Sequence, residues 1–360
     1  MNALLHAELG AAGIPSRIPE NGVMDKEAAR SARATIEEVA AAAGVSRSTV
    51  SRVVNGSTAV SPEALAAVRA AIDRLNYVPN RAARSLASKQ TQAIALIVPE
   101  DTTRFFGDPF FAAIVAGVTG ALGGSDYLLN LLIASDDPGD KMTSFVRNGG
   151  VDGAIIVSHH TSDAFIDRIA DAVPVVYGGR PVRTGPGDYI VDVDNVDGAR
   201  VATQHLIDIG RTRIATISGP LTMVASVDRV QGFRSALADA GLTSFAEEAG
   251  DYSEASGADA ARRMLASGRP DAIFVASDLM ARGALTALRA AGIRVPEDVA
   301  LVGFDDSSVA VSTDPQLTTV RQPMYAQGET MAGILLSRLA GGQPAHTTIL
   351  PTELVIRGSA

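Results

Sequence analysis

Between Thr35 and Leu75 the chain starts and stops a helix three times, so closely that only a cluster of short helices can result. Thr35 followed by Glu38 spells a capping box: the threonine oxygen accepts a backbone N–H and the glutamate reaches back to the cap. Ile36, Val39 and Ala40 then share one helical face, and Gly44 ends the helix where a left-handed residue is needed. Ser46 suits the cap of a second helix running to about Val54, with Val50, Val53 and Val54 inward and Asn55-Gly56 as the stop. Ser61-Pro62 opens a third, whose Leu65, Val68, Ile72 and Leu75 follow at steps of three or four. Three short helices with a glycine turn between the first two predict a helix-turn-helix.

A recognition helix buries one face and presents polar side chains near its N-terminus. In the second helix the valines take the buried face, which leaves Arg47, Ser48, Ser51 and Arg52 outward. Arginine pairs twice with guanine N7 and O6, so Arg47 and Arg52 are the expected base readers. Ser48 suits a base or a phosphate. Thr49, Ser51 and Asn55 suit phosphate contacts that fix orientation.

The charge distribution agrees. The chain of 360 residues carries a net charge of -9, which by itself argues against a nucleic-acid partner. Residues 34–89, however, hold seven Lys and Arg against four acids, whereas residues 90–360 hold 20 against 32. A small cationic module joined to a large anionic one confines phosphate contact to one end. Residues 1–33 show no sustained period and read as a mobile extension, within which Met24 is an alternative start. No apolar run is long enough to span a bilayer and no export signal is visible, so a cytoplasmic, nucleoid-associated location is expected. The absence of Cys removes disulfides, thiolate nucleophiles and Cys-based zinc sites.

Beyond Lys89 the pattern changes. Short β-rich runs at Ala93–Val98, Tyr127–Ile133, Gly153–Val157, Val173–Tyr177, Arg213–Ser218, Ala272–Val275 and Val299–Gly303 alternate with helical stretches such as Phe110–Leu122, Val196–Ile209, Val227–Ala240 and Ala281–Ala291. Repeated β-α units predict parallel sheet with helices on both faces, and the stretch is long enough for two α/β lobes. Between the modules, Pro79 breaks the third helix, and Asn80 suits the cap of a short turn over Arg81–Ser88 that would be marginal as an isolated helix.

The stretch from Thr35 to Ser88 resembles the headpiece of the LacI/GalR family of bacterial regulators. The resemblance rests on Gly44-Val45-Ser46, Thr49-Val50-Ser51-Arg52-Val53, Asn55 and Asn76-Tyr77-Val78-Pro79-Asn80, and continues to Arg357. It implies a helix-turn-helix headpiece over 34–79, a hinge helix over 80–89, and a two-lobed α/β domain over 90–360 like the periplasmic sugar-binding proteins. The first lobe would hold 90–192 and 323–344, the second 193–322 and 345–360. The resemblance also implies that Thr35 and Ser46, with Arg47 and Ser48 choosing the operator, contact double-stranded DNA, joined by hinge residues Asn80, Arg81, Ala83 and Leu86. Leu86 would wedge into the minor groove, or else anchor the linker on the body.

Ligands of such sheets bind beyond the C-terminal ends of strands. Asp108, Phe110 and Phe111 follow the first strand; one of the two rings is expected in the core and the other against a ligand. Arg229 matches the family's ligand-binding arginine. Ser277-Asp278 stands where Asn-Asp is frequent, Asp305 would accept bonds from hydroxyls, and Tyr252, Gln322 and Met324 match cleft positions by spacing. Gly179 stands where an Asp is frequent, so that Arg180 would reach inward, with His159 also lining the pocket. A carbohydrate or sugar phosphate is the expected effector, with a purine-like corepressor stacked on Phe111 as the alternative.

Neither a phosphate-cradling glycine loop nor a metal-binding H-E-x-x-H pattern is present, and no metal or cofactor is expected. An enzyme and a periplasmic binding protein are the rival classes; the missing motifs oppose the first, and the lack of a visible export signal and the cationic headpiece oppose the second. The expectation is a homodimeric, or tetrameric, DNA-binding regulator. Repression released by an effector is the default in the family, and activation the alternative.

Overall fold

A computed structural model describes residues 34–54, 59–78 and 90–360, and the chain divides between Ser88 and Lys89 into two compact units. The N-terminal extension and the hinge residues, Asn80, Arg81, Ala83 and Leu86 among them, lie outside the described residues, as does Asn55.

The small unit contains α1 (Ile36–Ala43), α2 (Arg47–Val54) and α3 (Pro62–Leu75). Glu38 N donates to Thr35 Oγ1 at 3.3 Å and Thr35 N to Glu38 Oε2 at 2.7 Å, which completes the capping box. Gly44 closes α1 at φ 68°, and Ser61 caps α3 by accepting from Ala64 N. Val39, Val50, Val68 and Ala71 form the core, flanked by Ile36, Val53, Val54, Ile72 and Leu75. Burying one Val contributes roughly 1.5–3 kcal/mol and one cap ~1 kcal/mol. The caps therefore set where the helices end, and the valines set how they pack.

The large unit holds two six-stranded sheets. The first runs β11 (Thr347–Leu350), β5 (Tyr189–Val193), β4 (Val175–Gly178), β3 (Gly153–Val157), β1 (Ala93–Val98), β2 (Leu128–Ile133), all parallel. Its helices are α4 (Thr102–Gly107), α5 (Pro109–Leu122), α6 (Lys141–Arg147), α7 (Phe165–Ala170) and, returning late in the chain, α13 (Met324–Leu339). The second runs β12 (Glu353–Val355), β10 (Thr318–Arg321), β9 (Ala300–Asp305), β8 (Ala272–Val275), β6 (Ile214–Ser218), β7 (Glu247–Ala249), parallel except for β12. Its helices are α8 (Asn195–Asp208), α9 (Val224–Asp239), α10 (Glu254–Ser267), α11 (Asp278–Ala290) and the short α12 (Ser308–Ser312). Each sheet is buried on both faces, with one apolar cluster above and one below. That is why the strands read as continuous apolar runs such as Ile94–Val98 rather than as alternation.

α5 and α13 cross backbone to backbone at two glycines. A Cβ on Gly117 would lie 2.0 Å from Tyr325 O, and one on Gly328 2.4 Å from Ile114 O. No side chain fits at either crossing.

The chain passes between lobes at Asp194, at Gln322-Pro323 and at Pro351-Thr352. The last crossing corrects the sequence expectation, which gave 345–360 to the second lobe. Thr347–Leu350 still pairs with β5 in the first sheet, and only β12 enters the second. β5, β7, β10, β11 and β12 were not anticipated; all but β5 and β10 are exposed or half-buried edge strands of three or four residues with little apolar signal.

Candidate functional site

On α2, Arg47, Ser48 and Arg52 are exposed while Val50 is fully buried, so polar and apolar residues take opposite faces as the spacing predicts. Ser46 Oγ accepts from Thr49 N at 3.2 Å and pairs with the hydroxyls of Ser48 and Thr49 at 2.8 and 2.9 Å. These hydroxyls gather at the positive end of the helix, where a phosphate is favoured. Arg47 Nε stands 3.3 Å from Glu37 Oε1, with both side chains more than half exposed. Such an exposed pair is worth little in water.

The second site is a cavity in the large unit, where the C-terminal ends of β3, β4, β5, β8, β9 and β10 converge from both sheets. It encloses about 580 Å³ of empty space, its open mouth included. The first lobe supplies Arg104, Asp108, Phe110, Ser158, Gly179, Asp192 and Gln327. The second supplies Asn195, Met223, Arg229, Tyr252, Ser277, Asp305 and Gln322.

At its centre Arg229 is almost completely buried. Its Nε donates to Asn195 Oδ1 at 2.9 Å, its Nη1 to Ala276 O at 2.6 Å, and its guanidinium carbon lies 3.6 Å from the Phe304 ring centre. Nη2 takes part in neither hydrogen bond. Around Arg229 stand two buried carboxylates, Asp192 and Asp305, and the half-buried Asp108. Burial raises Asp305 well above the usual carboxylate range; the Arg229 charge pulls it down and the neighbouring Asp278 pushes it up. Asp305 Oδ1 accepts from Gln322 Nε2 at 2.6 Å. Asp192 and Asp108 are also raised by burial, and are held by backbone N–H groups of Val193 and Arg180, and of Phe110.

Ser158, Tyr252 and Asp305 are non-glycine residues at positive φ, 60°, 69° and 118°. Each conformation costs roughly 1–3 kcal/mol, and all three residues line the same cavity, the kind of place where backbone strain commonly gathers. Tyr252 is further fixed by a 2.6 Å bond to Ser226 Oγ.

Of the cleft residues expected from sequence, Asp108, Phe110, Arg229, Tyr252, Ser277, Asp305 and Gln322 line this cavity. Five do not. Phe111 is sealed in the first lobe's core, so it cannot be the stacking platform of the purine-like alternative. Met324 begins α13 and packs against that same core. Asp278 is fully buried, its carboxylate consumed by Thr319 Oγ1 at 2.6 Å and by Ser307 N at 2.8 Å. Arg180 turns away and grips Asp228 of the other lobe with Nη2 at 2.8 and 2.9 Å. The His159 ring packs edge-on to Tyr177 with centres 5.8 Å apart, and burial lowers its pKa to about 4.

Asp192, Asn195 and Arg104 were missed. The first two sit in the run Asp192-Val193-Asp194-Asn195 at the first lobe crossing, where Asn195 Nδ2 donates to Asp192 Oδ1 at 3.0 Å. Recognising β5 would have placed both at a strand end. Several bonds hold the lobes closed over the cavity: Arg104 Nη1 to Asp251 O at 2.7 Å, His160 Nδ1 with Thr222 Oγ1 at 2.7 Å, and Thr161 N to Thr222 O at 2.9 Å. Among the described residues no cluster of His, Cys, Asp or Glu could hold a metal ion, and no helix is long and apolar enough to cross a membrane.

Comparison with known proteins bears on both sites. Residues 35–80 match the model for bacterial regulatory proteins of the lacI family, and residues 203–360 that of a periplasmic binding protein-like domain. The chain is 45% identical over 345 residues to the HTH-type transcriptional regulator CelR of Thermobifida fusca, covering 92% of this chain and 99% of the relative. It is 35% identical to the ribose operon repressor of Escherichia coli (strain K12), covering 91% and 100%. Among solved structures it resembles the CelR–cellobiose complex at 43% identity and a TM-score of 0.72, covering 91% and 100%. It also resembles the lac repressor dimer bound to operator and an anti-inducer, at 31% identity and a TM-score of 0.78, covering 91% and 99%. With a helix-turn-helix at one end, a two-lobed cavity at the other, and relatives of the same architecture matched over nearly their full length, the chain belongs to the lacI family of bacterial regulatory proteins, as a DNA-binding transcription regulator with a small-molecule effector rather than an enzyme.

Proposed function

We propose that this protein is a repressor whose operator affinity falls when a neutral saccharide occupies the cavity between its lobes, and that the saccharide is a glucose disaccharide of the cellobiose kind. The observation that carries this reading is the ring of carboxylates, Asp108, Asp192 and Asp305, the last two buried, around an Arg229 with one free nitrogen. Carboxylates accept hydrogen bonds, and a saccharide offers many hydroxyl donors. A phosphate or carboxylate ligand needs several donors and meets instead an excess of acid. The sugar phosphate left open by the sequence is therefore set aside. The 45% identity to CelR of Thermobifida fusca and the 43% identity to the regulator of the solved CelR–cellobiose complex support the disaccharide.

The solved lac repressor dimer on its operator supports reading this chain as a homodimer. Two copies of α2, with Arg47, Ser48 and Arg52 facing bases, would then occupy successive major grooves of a near-palindromic site. Hinge residues Asn80, Arg81, Ala83 and Leu86 would join from the minor-groove side. Opening or closing of the lobes changes the separation of the two hinges and so their ability to fold on DNA. A coupling of roughly 1–3 kcal/mol between effector and operator is the expected scale.

Isothermal titration calorimetry of the full chain with cellobiose, ribose and glucose 6-phosphate tests the ligand class. Cellobiose is expected to bind tightest. Tighter binding of the phosphate overturns the reading.

A further inference from the structure

A second cavity adjoins the effector cavity on the side of α4. It too draws on both lobes, with Glu100, Asp101 and His160 from the first and Asp251, Glu254 and Arg282 from the second. Arg104, Asp108 and Tyr252 line both cavities and so form the wall between them. Of these three, Arg104 reaches across: its Nη1 donates to Asp251 O at 2.7 Å, and its guanidinium carbon lies 4.8 Å from the Tyr252 ring centre.

The partition is incompletely bonded. Arg104 Nε stands 3.4 Å from Glu100 Oε1 yet makes no hydrogen bond, although it is buried. Arg282, which lines the outer cavity, likewise has a buried Nε without a partner, while its Nη2 donates to Glu254 Oε2 at 2.6 Å. Buried donors are almost always satisfied, so two guanidinium N–H groups without a hydrogen bond, one of them beside the Glu100 carboxylate, leave donor capacity next to this chamber that is released when either side chain turns into it. The hydroxyl oxygens of a saccharide are acceptors for it. Glu100, Asp101, Asp251 and Glu254 offer the complementary acceptors for its hydroxyl hydrogens. Tyr252, buried and tethered at its hydroxyl, is the ring against which a sugar face would pack once Arg104 left it.

We infer that the outer cavity is a further saccharide subsite and that Arg104 is the partition that sets how many sugar units the protein accepts. With Arg104 bound to Asp251 O, the inner chamber takes the shorter ligand. With Arg104 swung aside, the chambers join and one more unit fits. This rests on the saccharide reading above and adds to it a residue that discriminates by length.

The test is calorimetric titration of the full chain with cellobiose and cellotriose, in the wild type, in Arg104→Ala, in Arg104→Met, which keeps the apolar stem, and in Arg104→Ala with Leu279→Trp, which enlarges a residue lining the outer chamber so as to fill it. Thermal melting selects the variants that fold. Affinity for cellotriose relative to cellobiose is expected to rise about tenfold or more when Arg104 is truncated, and to fall back when Leu279→Trp is added. An unchanged ratio in both Arg104 variants, with cellobiose still bound, overturns the partition. A gain that survives Leu279→Trp overturns the outer subsite. Failure of the wild type to bind either sugar overturns the saccharide reading and takes this inference with it.

Discussion

The guanidinium carbon of Arg229 stands 3.6 Å from the centre of the Phe304 ring, while its Nε and Nη1 are tied to Asn195 Oδ1 and Ala276 O. A planar, forked cation satisfies all three contacts at once, and an ammonium cannot. Arg229→Lys should therefore weaken saccharide binding by roughly 2–5 kcal/mol, as expected when a buried charged hydrogen-bonding group loses its partners. Operator binding in the absence of sugar should persist. Calorimetry and fluorescence anisotropy on the same preparation read the two effects separately.

Asp305 offers a complementary substitution. Its burial and the nearby Asp278 both disfavour the charged form. Asp305→Asn removes that charge while keeping the shape, so stability near neutral pH should hold or rise. Saccharide affinity should still fall, because an acceptor oxygen has become a donor. Urea denaturation beside calorimetry checks both; a stability loss as large as the affinity loss would mark Asp305 as merely structural.

On the headpiece, Arg47→Ala and Arg52→Ala should each cost roughly 1–3 kcal/mol against operator and much less against random duplex, because a lost bidentate base contact removes discrimination. Anisotropy titrations of both duplexes at several salt concentrations separate base reading from phosphate attraction. Equal losses on both duplexes would move these arginines to the backbone.

His159 gives a pH signature. Burial lowers its pKa from 6.5 to about 4 in the folded protein. Between those values the unfolded chain binds a proton that the folded one does not, so stability falls as pH falls. At about pH 5 the loss from this group is roughly 2 kcal/mol. The raised carboxylates act with the opposite sign, so the informative quantity is the difference between wild type and His159→Gln in urea denaturation across this range. That difference should shrink towards neutral pH.

The headpiece was legible residue by residue because its signals are local: a cap at Thr35, a stop at Gly44, valines at helical spacing in α2. The alternation of strands and helices was equally plain. What escaped depends on contacts between residues far apart in the chain. Nothing near Asp278 reveals that Thr319 and Ser307 consume its carboxylate, nor near Arg180 that Asp228 awaits it. Phe110 and Phe111 are neighbours on one helix, and only the packing of α5 decides that Phe111 enters the core while Phe110 faces the cavity. Asp192 and Asn195 escaped because β5 was not recognised, so the first crossing between lobes had no strand end to mark it.

The central claim is that filling the cavity around Arg229 alters grip on DNA at the headpiece. Fluorescence anisotropy of the full chain on a near-palindromic duplex from its own promoter, with and without saturating cellobiose, tests it most directly. A drop in affinity of roughly 5- to 150-fold, absent in Arg229→Lys, is the predicted result. Unchanged operator affinity while calorimetry shows the sugar bound would contradict it.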